Sequence, residues 1–257
     1  MDEKDRIYRK VKSIIRQNGR SSYIGEDDFV SLSKYGIIIN FHIKNPRLDI
    51  ENIFRVVKRG QKIIRDRLGY NLEKLRIDIY NSREEMRQGA RSKSIYASWI
   101  AGIYDGNIRM VSERGNEEPE AIYVILTHEI IHAAVSEMSK GRCPYWLDEG
   151  LAVYLSQNLS DQYRNELIKA VKEDKIFPLE AMEGSPPVDM EEHLRQLVYS
   201  EASSITEYLI ESCGWDMIES IIRQSCRRDI KPILMDLGQN YYVIEQSWKR
   251  WLKGKNA

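Results

Sequence analysis

The spacing of apolar residues changes along the chain from mixed periods in the first half to helical periods in the second. Two runs in the first half predict strands: the β-branched and aromatic residues 35–44, and the alternating LRIDIY of Leu75–Tyr80. Between them, residues 50–67 repeat apolar positions at helical spacing and are followed by Gly69, a typical helix terminator. The order strand, helix, strand places a sheet early in the fold.

Three further elements are predicted around this sheet. An amphipathic helix over residues 4–18 ends at Gly19 and forms an N-terminal arm. A short helix follows Ser82, and residues 103–112 predict a strand with a turn or bulge at Asp105 and Gly106.

The second half of the chain is predicted to be helical throughout. A long helix should begin near Glu118 and Pro119, since proline suits the first helical position, and end at Lys140 and Gly141. Helical periods then recur at residues 145–157, 160–174, 191–212, 215–227 and 241–254. Because the change occurs near residue 115, the predicted class is α+β, with a small mixed sheet packed on the long helix and a helical lower subdomain after it.

Composition and charge narrow the possible functions. The 257 residues are 42% hydrophobic and 30% charged, which is ordinary for a globular protein. Lys plus Arg and Asp plus Glu each number 39, and this balance argues against nucleic acid or a membrane surface as a partner. Three cysteines give no disulfide framework, and the charged start has no apolar signal region, so a cytoplasmic location is expected.

The long helix carries an HExxH motif at residues 128–132. His128 and His132 are four residues apart, so both imidazoles share one helix face and can reach a single Zn²⁺. Glu129 lies beside the metal position without being needed as a ligand. It can act as general base on a zinc-activated water and then pass the proton to a leaving amine, which is peptide-bond hydrolysis.

Glu149 is the candidate third zinc ligand. Sixteen residues separate it from His132, enough for the first helix to end, turn near Gly141 and Pro144, and return as an antiparallel helix. Residues 146–154, WLDEGLAVY, are similar to the WLNEG(F/L)AxY signature of the gluzincin metallopeptidases. Together with HExxH, this stretch makes the chain resemble the peptidase MA-like gluzincins over about residues 35–254.

The resemblance implies a role for Tyr199, which opens a segment similar to a family helix that begins with tyrosine and ends at glycine. In that family the tyrosine hydroxyl donates to the oxyanion of the tetrahedral intermediate, so Tyr199 is expected to be catalytic. Tyr154, just over one turn after Glu149, is the alternative donor, although its place suits packing better.

Two non-catalytic segments extend the resemblance. Residues 97–112 resemble the edge-strand region of the small peptidase MA-like gluzincins, in which the strand matching residues 106–112 would offer a free edge to an extended substrate. Residues 246–252 resemble the closing helix of the same proteins, and their tryptophans are expected in the core.

The chain also departs from related families. It lacks the GxMEN element with which larger aminopeptidases hold a free amino terminus, which disfavours aminopeptidase activity. Val153 occupies the position where thermolysin-like relatives carry an aspartate that orients a histidine, so Asp148 or a backbone carbonyl would take that role. Cys143 is expected to be a buried inert thiol, and His42 and His193 to be structural or surface residues.

These observations predict a gluzincin zinc metallopeptidase acting on peptide or protein substrates, as an endopeptidase. Residues 1–30 would form the arm and residues 31–257 the catalytic domain, divided into a part with sheet and active-site helix (31–140) and a helical subdomain (141–257). Two alternatives stay open. One is a zinc-stabilised binding or regulatory protein without turnover, and the other is a helical interaction module that binds no metal.

Overall fold

A computed structural model describes residue 9 and residues 21–24, 29–42, 50–89, 101–112, 119–157, 161–187 and 189–255. The chain forms two compact units. The first contains residues 1–61 and 71–133, and the second contains residues 62–70 and 134–257. The predicted helix over residues 4–18 lies outside the described residues, apart from residue 9.

The first unit contains a mixed sheet of six strands in the order β1-β2-β3-β4-β6-β5. Strands β3, β4 and β6 run parallel to one another, whereas β1, β2 and β5 are antiparallel to their neighbours. The strands are β1 (Ser21–Ile24), β2 (Phe29–Lys34), β3 (Ile37–His42), β4 (Leu75–Tyr80), β5 (Gly102–Tyr104) and β6 (Ile108–Val111). The predicted strands at residues 35–44 and Leu75–Tyr80 are confirmed.

Strands β1 and β2 were not anticipated from the sequence, although β1 and the start of β2 fall within residues 1–30. Their serine-rich sequences are weak local signals, and pairing with a neighbouring strand stabilises them instead. Tyr35 and Gly36 make the turn from β2 to β3, and both have positive φ angles, 52° and 81°. This is the geometry of a tight hairpin turn.

The edge-strand prediction is wrong in its detail. Residues 106–112 contribute β6, which pairs with β4 on one side and β5 on the other and therefore has no free edge. Among the described strands, the edge on this side is β5, which forms a hairpin with β6 through the predicted turn at Asp105 and Gly106. The edge is therefore one strand away from the predicted one, because the region predicted as one strand forms two paired strands, β5 and β6.

Three helices accompany the sheet in sequence. Helix α1 (Ile50–Leu68) ends at Gly69, whose φ is 56°, as its sequence predicted. Helix α2 (Arg83–Gly89) follows Ser82, whose hydroxyl accepts a hydrogen bond from the Glu85 amide at 3.2 Å. Helix α3 (Pro119–Ser139) carries HExxH, and within the first unit its Ile130 lies against Gly60 of α1.

A buried polar cluster interrupts the expected alternation in β4. Asp78 is 5% exposed although the pattern placed it on the wet face. It accepts hydrogen bonds from Asn40 at 2.6 Å, Arg76 at 3.0 Å and Arg109 at 3.2 Å. Arg109 also binds Asp105 in the β5–β6 turn through Nε, at 3.0 Å. Because every charge in this cluster has a partner, the cluster ties the hairpin to the sheet without leaving an isolated buried charge.

The second unit is helical. Its helices are α4 (Tyr145–Ser156), α5 (Asp161–Lys172), α6 (Glu192–Cys213), α7 (Trp215–Ser225), α8 (Ile230–Asp236) and α9 (Tyr241–Lys255), with a 3₁₀ turn at Leu179–Met182. Only α8 and the 3₁₀ turn were not predicted, and both are very short. In α9, Trp248 is fully buried, as expected, and its indole donates to the Ser204 hydroxyl at 2.9 Å. Trp251, which was also expected in the core, is only half-buried and donates to Glu211 at 3.0 Å. No helix in the described part of the chain has the length and apolar character required to span a bilayer.

Candidate metal centre

Helix α3 holds the HExxH residues in its continuous middle section. It ends as predicted, because Lys140 and Gly141 both adopt positive φ angles, 56° and 71°, and the Gly141 amide donates to the Ser136 carbonyl at 2.9 Å. Nine residues of helix precede His128, counted from Pro119. The motif therefore lies in the middle of the helix, away from the ends, which fray.

His128 and His132 face each other along the helix. Their Nε2 atoms are 3.0 Å apart, and the ring centroids are separated by 4.6 Å with an interplanar angle of 77°. The spacing of four residues thus brings both imidazoles to one point, as predicted.

Glu149 completes a group of three side chains that could hold a metal ion. One nitrogen each from His128 and His132 and one carboxylate oxygen from Glu149 all lie within 4.8 Å of one another. The carboxylate belongs to a residue that is only 6% exposed. These three residues are the ones that the sequence proposed as zinc ligands.

The donor set suits a divalent metal such as zinc. Two imidazole nitrogens with one carboxylate are a common catalytic zinc ligand set. Ligand atoms that each lie about 2.0 to 2.1 Å from a tetrahedral ion are separated by roughly 3.3 Å. The 3.0 Å between the two Nε2 atoms is close to that separation. The residues present therefore fit the ion that the motif implies.

Glu129 is 6% exposed and lies against strand β5 of the same unit. A methyl group on Gly102 would lie 3.0 Å from Glu129 Oε1 and 2.5 Å from Ile125 Cγ2. Only glycine therefore allows the β5 backbone to approach the helix this closely. The sequence did not single out Gly102, although a glycine at a strand start is a recognised sign of close backbone approach.

Helix α4 presents Glu149 from a firmly anchored first turn. Pro144 precedes the helix in an extended conformation, and its carbonyl accepts hydrogen bonds from the amides of Leu147 and Asp148 at 3.0 and 3.1 Å. The Tyr145 amide donates to the Glu183 carbonyl at 2.8 Å. The bonds of Tyr145 and Leu147 occupy amides that a helix N-terminus otherwise leaves unsatisfied, and the Asp148 bond is the first regular bond of the helix.

Gly150, directly after Glu149, brings α4 against α6. A methyl group at this position would overlap the Thr206 hydroxyl and the Ala202 carbonyl oxygen. The glycine of the WLDEG sequence thus has a physical reason, since it permits a helix contact that any side chain would separate.

Tyr199 lies on α6 and is hydrogen-bonded to Tyr145, a residue that the sequence analysis missed. Burial raises the pKa of Tyr145 well above its usual value, and the negative charge of Glu149 and the hydrogen bond with Tyr199 raise it further. A hydrogen bond that raises the pKa of a phenol stabilises its neutral form, so Tyr145 stays protonated. Tyr145 is four residues before Glu149, and this helical spacing was the available signal.

Tyr154 has different surroundings. Its ring lies 6.4 Å from the ring of Trp215, and the residue is half-buried. This contact matches the packing role expected for Tyr154.

Comparison with models of known protein families gives a match for the chain. Residues 63–254 match the family model of the Peptidase MA superfamily, and they make up most of the 257 residues. The protein belongs to the Peptidase MA superfamily. No match was found among curated proteins. Membership indicates a peptidase with peptide or protein substrates, and the mixed α+β architecture agrees with it.

Three further residues of this Peptidase MA protein were considered in the sequence: Cys143, His193 and His42. Burial raises the pKa of the Cys143 thiol well above its usual value, and the charge of Asp148 raises it further, so the thiol stays protonated. His193 is exposed and lies 3.3 Å from Glu191, as expected for a surface residue. His42 is half-buried at the end of β3.

Proposed function

We propose that this protein is a gluzincin zinc metallopeptidase that hydrolyses internal peptide bonds. The observation that carries the proposal is that ligand atoms of His128, His132 and Glu149 lie within 4.8 Å of one another, and Glu129 directly follows His128 in the sequence. These three side chains would hold one Zn²⁺, and residues 31–257 would form the catalytic domain. When bound, zinc supplies a Lewis acid that polarises the scissile carbonyl and lowers the pKa of water.

Glu129 is the proposed general base and acid. It would accept a proton from the attacking water and deliver it to the leaving amine, so that water and the amide yield a carboxylate and an ammonium group. Support comes from its position in the motif and from its burial at 6% exposure, which keeps bulk water away from the carboxylate. The contact with Gly102 limits where this side chain can lie.

Tyr199 is the proposed oxyanion donor. Its helix, α6, packs against α4 at Gly150. Tyr199 is hydrogen-bonded to Tyr145, and the charge of Glu149 raises the pKa of Tyr145. A neutral hydroxyl beside the ligand helix is suited to stabilise charge that develops on the scissile carbonyl. Tyr154 packs near Trp215 instead, which supports Tyr199 over the alternative donor.

Extended peptides are the proposed substrates, and cleavage within the chain is the proposed mode. Strand β5 supports this, because it is the edge of the described strands on the side where Gly102 meets Glu129. An extended segment that pairs with β5 would receive main-chain hydrogen bonds with little side-chain preference.

Metal analysis tests the first part of the proposal. Freshly purified protein should contain about one zinc per chain, and a chelator should remove it. His132→Ala and Glu149→Ala should each abolish stoichiometric zinc. Protein that neither contains zinc nor takes it up on reconstitution would support the helical interaction module instead.

Glu129→Gln separates binding from chemistry. The variant should keep its zinc and lose hydrolysis of an unfolded protein substrate, since it loses the base but no ligand. The matched control is Glu137→Gln on the same helix, an exposed glutamate that accepts a hydrogen bond from the Tyr70 hydroxyl at 2.7 Å. It should leave both zinc and activity unchanged. Zinc-loaded wild-type protein without turnover would assign the chain to the zinc-stabilised binding class.

A further inference from the structure

We propose that residues 174–183, which we call the connecting segment, position helix α4 and with it the zinc ligand Glu149. This segment lies between α5 and α6 in the chain and contains the 3₁₀ turn. Tyr241 of α9 and Glu183 are the positioning residues of the arrangement. The inference rests on the proposed function, in which Glu149 binds zinc.

Three side chains of α9, spaced four residues apart, form hydrogen bonds along the connecting segment. The bonds run from the Tyr241 hydroxyl to Glu183 Oε1 at 2.8 Å, from the Leu179 amide to Glu245 Oε1 at 2.7 Å, and from Lys249 Nζ to Asp174 Oδ1 at 2.9 Å. Residues four apart share one face of a helix. The connecting segment therefore lies along a single face of α9.

The middle of the connecting segment is also fixed. Leu179 and Met182, both in the 3₁₀ turn, are buried. The Phe177 amide donates to both carboxyl oxygens of Glu201, on α6, at 3.1 and 3.2 Å. Because two helices and buried apolar side chains hold the segment, its end at Glu183 has a defined position.

This end of the connecting segment bonds to the first residue of α4. The Glu183 carbonyl accepts from the Tyr145 amide at 2.8 Å, and Tyr145 is one helical turn before Glu149. Glu183 thus bonds to α9 through its carboxylate and to α4 through its backbone. The first amides of a helix have no partner within the helix, so an acceptor outside it fixes where α4 begins. A shift of this acceptor should move the Glu149 carboxylate, and zinc–ligand distances vary by only about 0.2 Å.

The bond between Tyr241 and Glu183 is suited to hold this position. Hydrogen bonds to a carboxylate are roughly twice as strong as bonds between neutral groups. Both residues are half-buried, which shields the bond partly from water. Tyr241→Phe removes the hydroxyl and keeps the ring, so it releases Glu183 with little change in packing.

The zinc affinity of the whole chain tests the inference. Metal-free wild type, Tyr241→Phe, Glu183→Ala and the double variant are titrated with zinc in competition with a chromophoric chelator. Each single change should weaken zinc binding by about tenfold, as expected for residues that act on a metal through its ligands. The double variant should bind zinc no more weakly than either single variant, because both changes remove the same bond. Glu183→Gln, which keeps an acceptor oxygen, should restore most of the affinity.

Two further variants of α9 separate positioning from general stability. Tyr242→Phe changes the adjacent tyrosine, which is 71% exposed, and should bind zinc as the wild type does. Ile244→Val shortens a fully buried side chain and should lower the urea midpoint of the metal-free protein without changing its zinc affinity. Equal losses of zinc affinity in Ile244→Val and Tyr241→Phe would overturn the inference, because zinc binding would then follow stability alone.

The other outcomes distinguish this inference from the proposed function. A wild-type protein that binds no zinc overturns the function, and with it the inference. A zinc-binding wild type with unchanged affinity in Tyr241→Phe and Glu183→Ala overturns the positioning role alone, even if urea unfolding shows that both variants are less stable. Losses of affinity that add in the double variant would show that the two residues act independently, and they would overturn the role of the shared bond.

Discussion

The two carboxylates proposed for the site, Glu129 in the first unit and Glu149 in the second, are equally shielded but are held in different ways. Each residue is 6% exposed, and each has a closely approached glycine near it. A methyl group on Gly102 would meet side-chain atoms of Ile125 and of Glu129 itself. A methyl group on Gly150 would overlap the Thr206 hydroxyl and the backbone carbonyl of Ala202.

The first glycine therefore limits the position of a side chain, whereas the second limits the distance between two helices. Side chains of isoleucine and glutamate can shift by rotamer changes, whereas the backbone of a helix yields only by moving the helix. The Gly102 contact therefore governs where the Glu129 carboxylate lies. The Gly150 contact governs how closely α6, with Tyr199, approaches the ligand helix.

Gly150→Ala should have the largest effect. We expect a loss of about 3 kcal/mol or more in the free energy of unfolding, because the overlap with backbone exceeds the roughly 1 kcal/mol that alanine gains over glycine in a helix. Urea unfolding measures this change. The control is Gly184→Ala, since no heavy atom lies within 4 Å of a methyl group there, and its effect should stay within about 0.5 kcal/mol. Equal losses of unfolding free energy in the two variants would show that the backbone contact at Gly150 does not control stability.

Gly102→Ala should affect catalysis more than folding. The added methyl should displace Ile125 or Glu129 at a cost of about 1 to 3 kcal/mol in stability. A displaced general base should lower kcat by roughly tenfold to a hundredfold. Zinc content should stay unchanged, because no ligand is touched. Steady-state kinetics together with metal analysis checks this expectation, and a variant with full kcat would show that β5 does not constrain the carboxylate.

Glu201, on α6, should have a smaller effect on stability, and this effect should depend on pH. The residue is fully buried, and burial raises its pKa to about 8, despite hydrogen bonds from the Phe177 amide to both of its oxygens. Nearby Glu245 raises this pKa as well, whereas Lys249 lowers it. The folded state therefore binds a proton that the unfolded chain releases near pH 4.5.

The sign of the effect follows from this raised pKa. Stability from protonated Glu201 is fully present below about pH 4.5 and is lost as the pH rises through about 8. Between pH 7 and pH 8 the loss should be about 1 kcal/mol. Glu201→Gln, which mimics the protonated carboxyl, should remove this part of the slope in urea unfolding measured across pH 5 to 9. An unchanged slope would show that Glu201 does not titrate in this range.

Much of the framework could be predicted from local patterns. Apolar periods located α1, β4, α3 and α4 almost to the residue, because period and backbone conformation are linked within a few neighbouring residues. The meeting of the two imidazoles could be predicted for the same reason, since His128 and His132 share a helix face through their spacing alone.

Features that depend on distant partners were missed. The alternation in β4 placed Asp78 in water, but Arg109, which is 31 residues away, pairs with it in the interior. Residues 103–112 were expected to be one strand with a free edge, yet β6 acquires neighbours on both sides. Strand β1 exists through pairing with β2 and has little local signal of its own.

The sequence alone therefore determined the helix periods, the α+β class and the pairing of the two HExxH imidazoles, since these depend on short-range spacing. The tertiary structure decided which strand forms the edge, that Asp78 is buried with Arg109, and that Tyr145 and Tyr199 are hydrogen-bonded to each other. Each of these requires groups far apart in the chain to meet at hydrogen-bond distance. Such meetings follow from close packing at particular points, such as the approach of α4 and α6 at Gly150, and no local period encodes them.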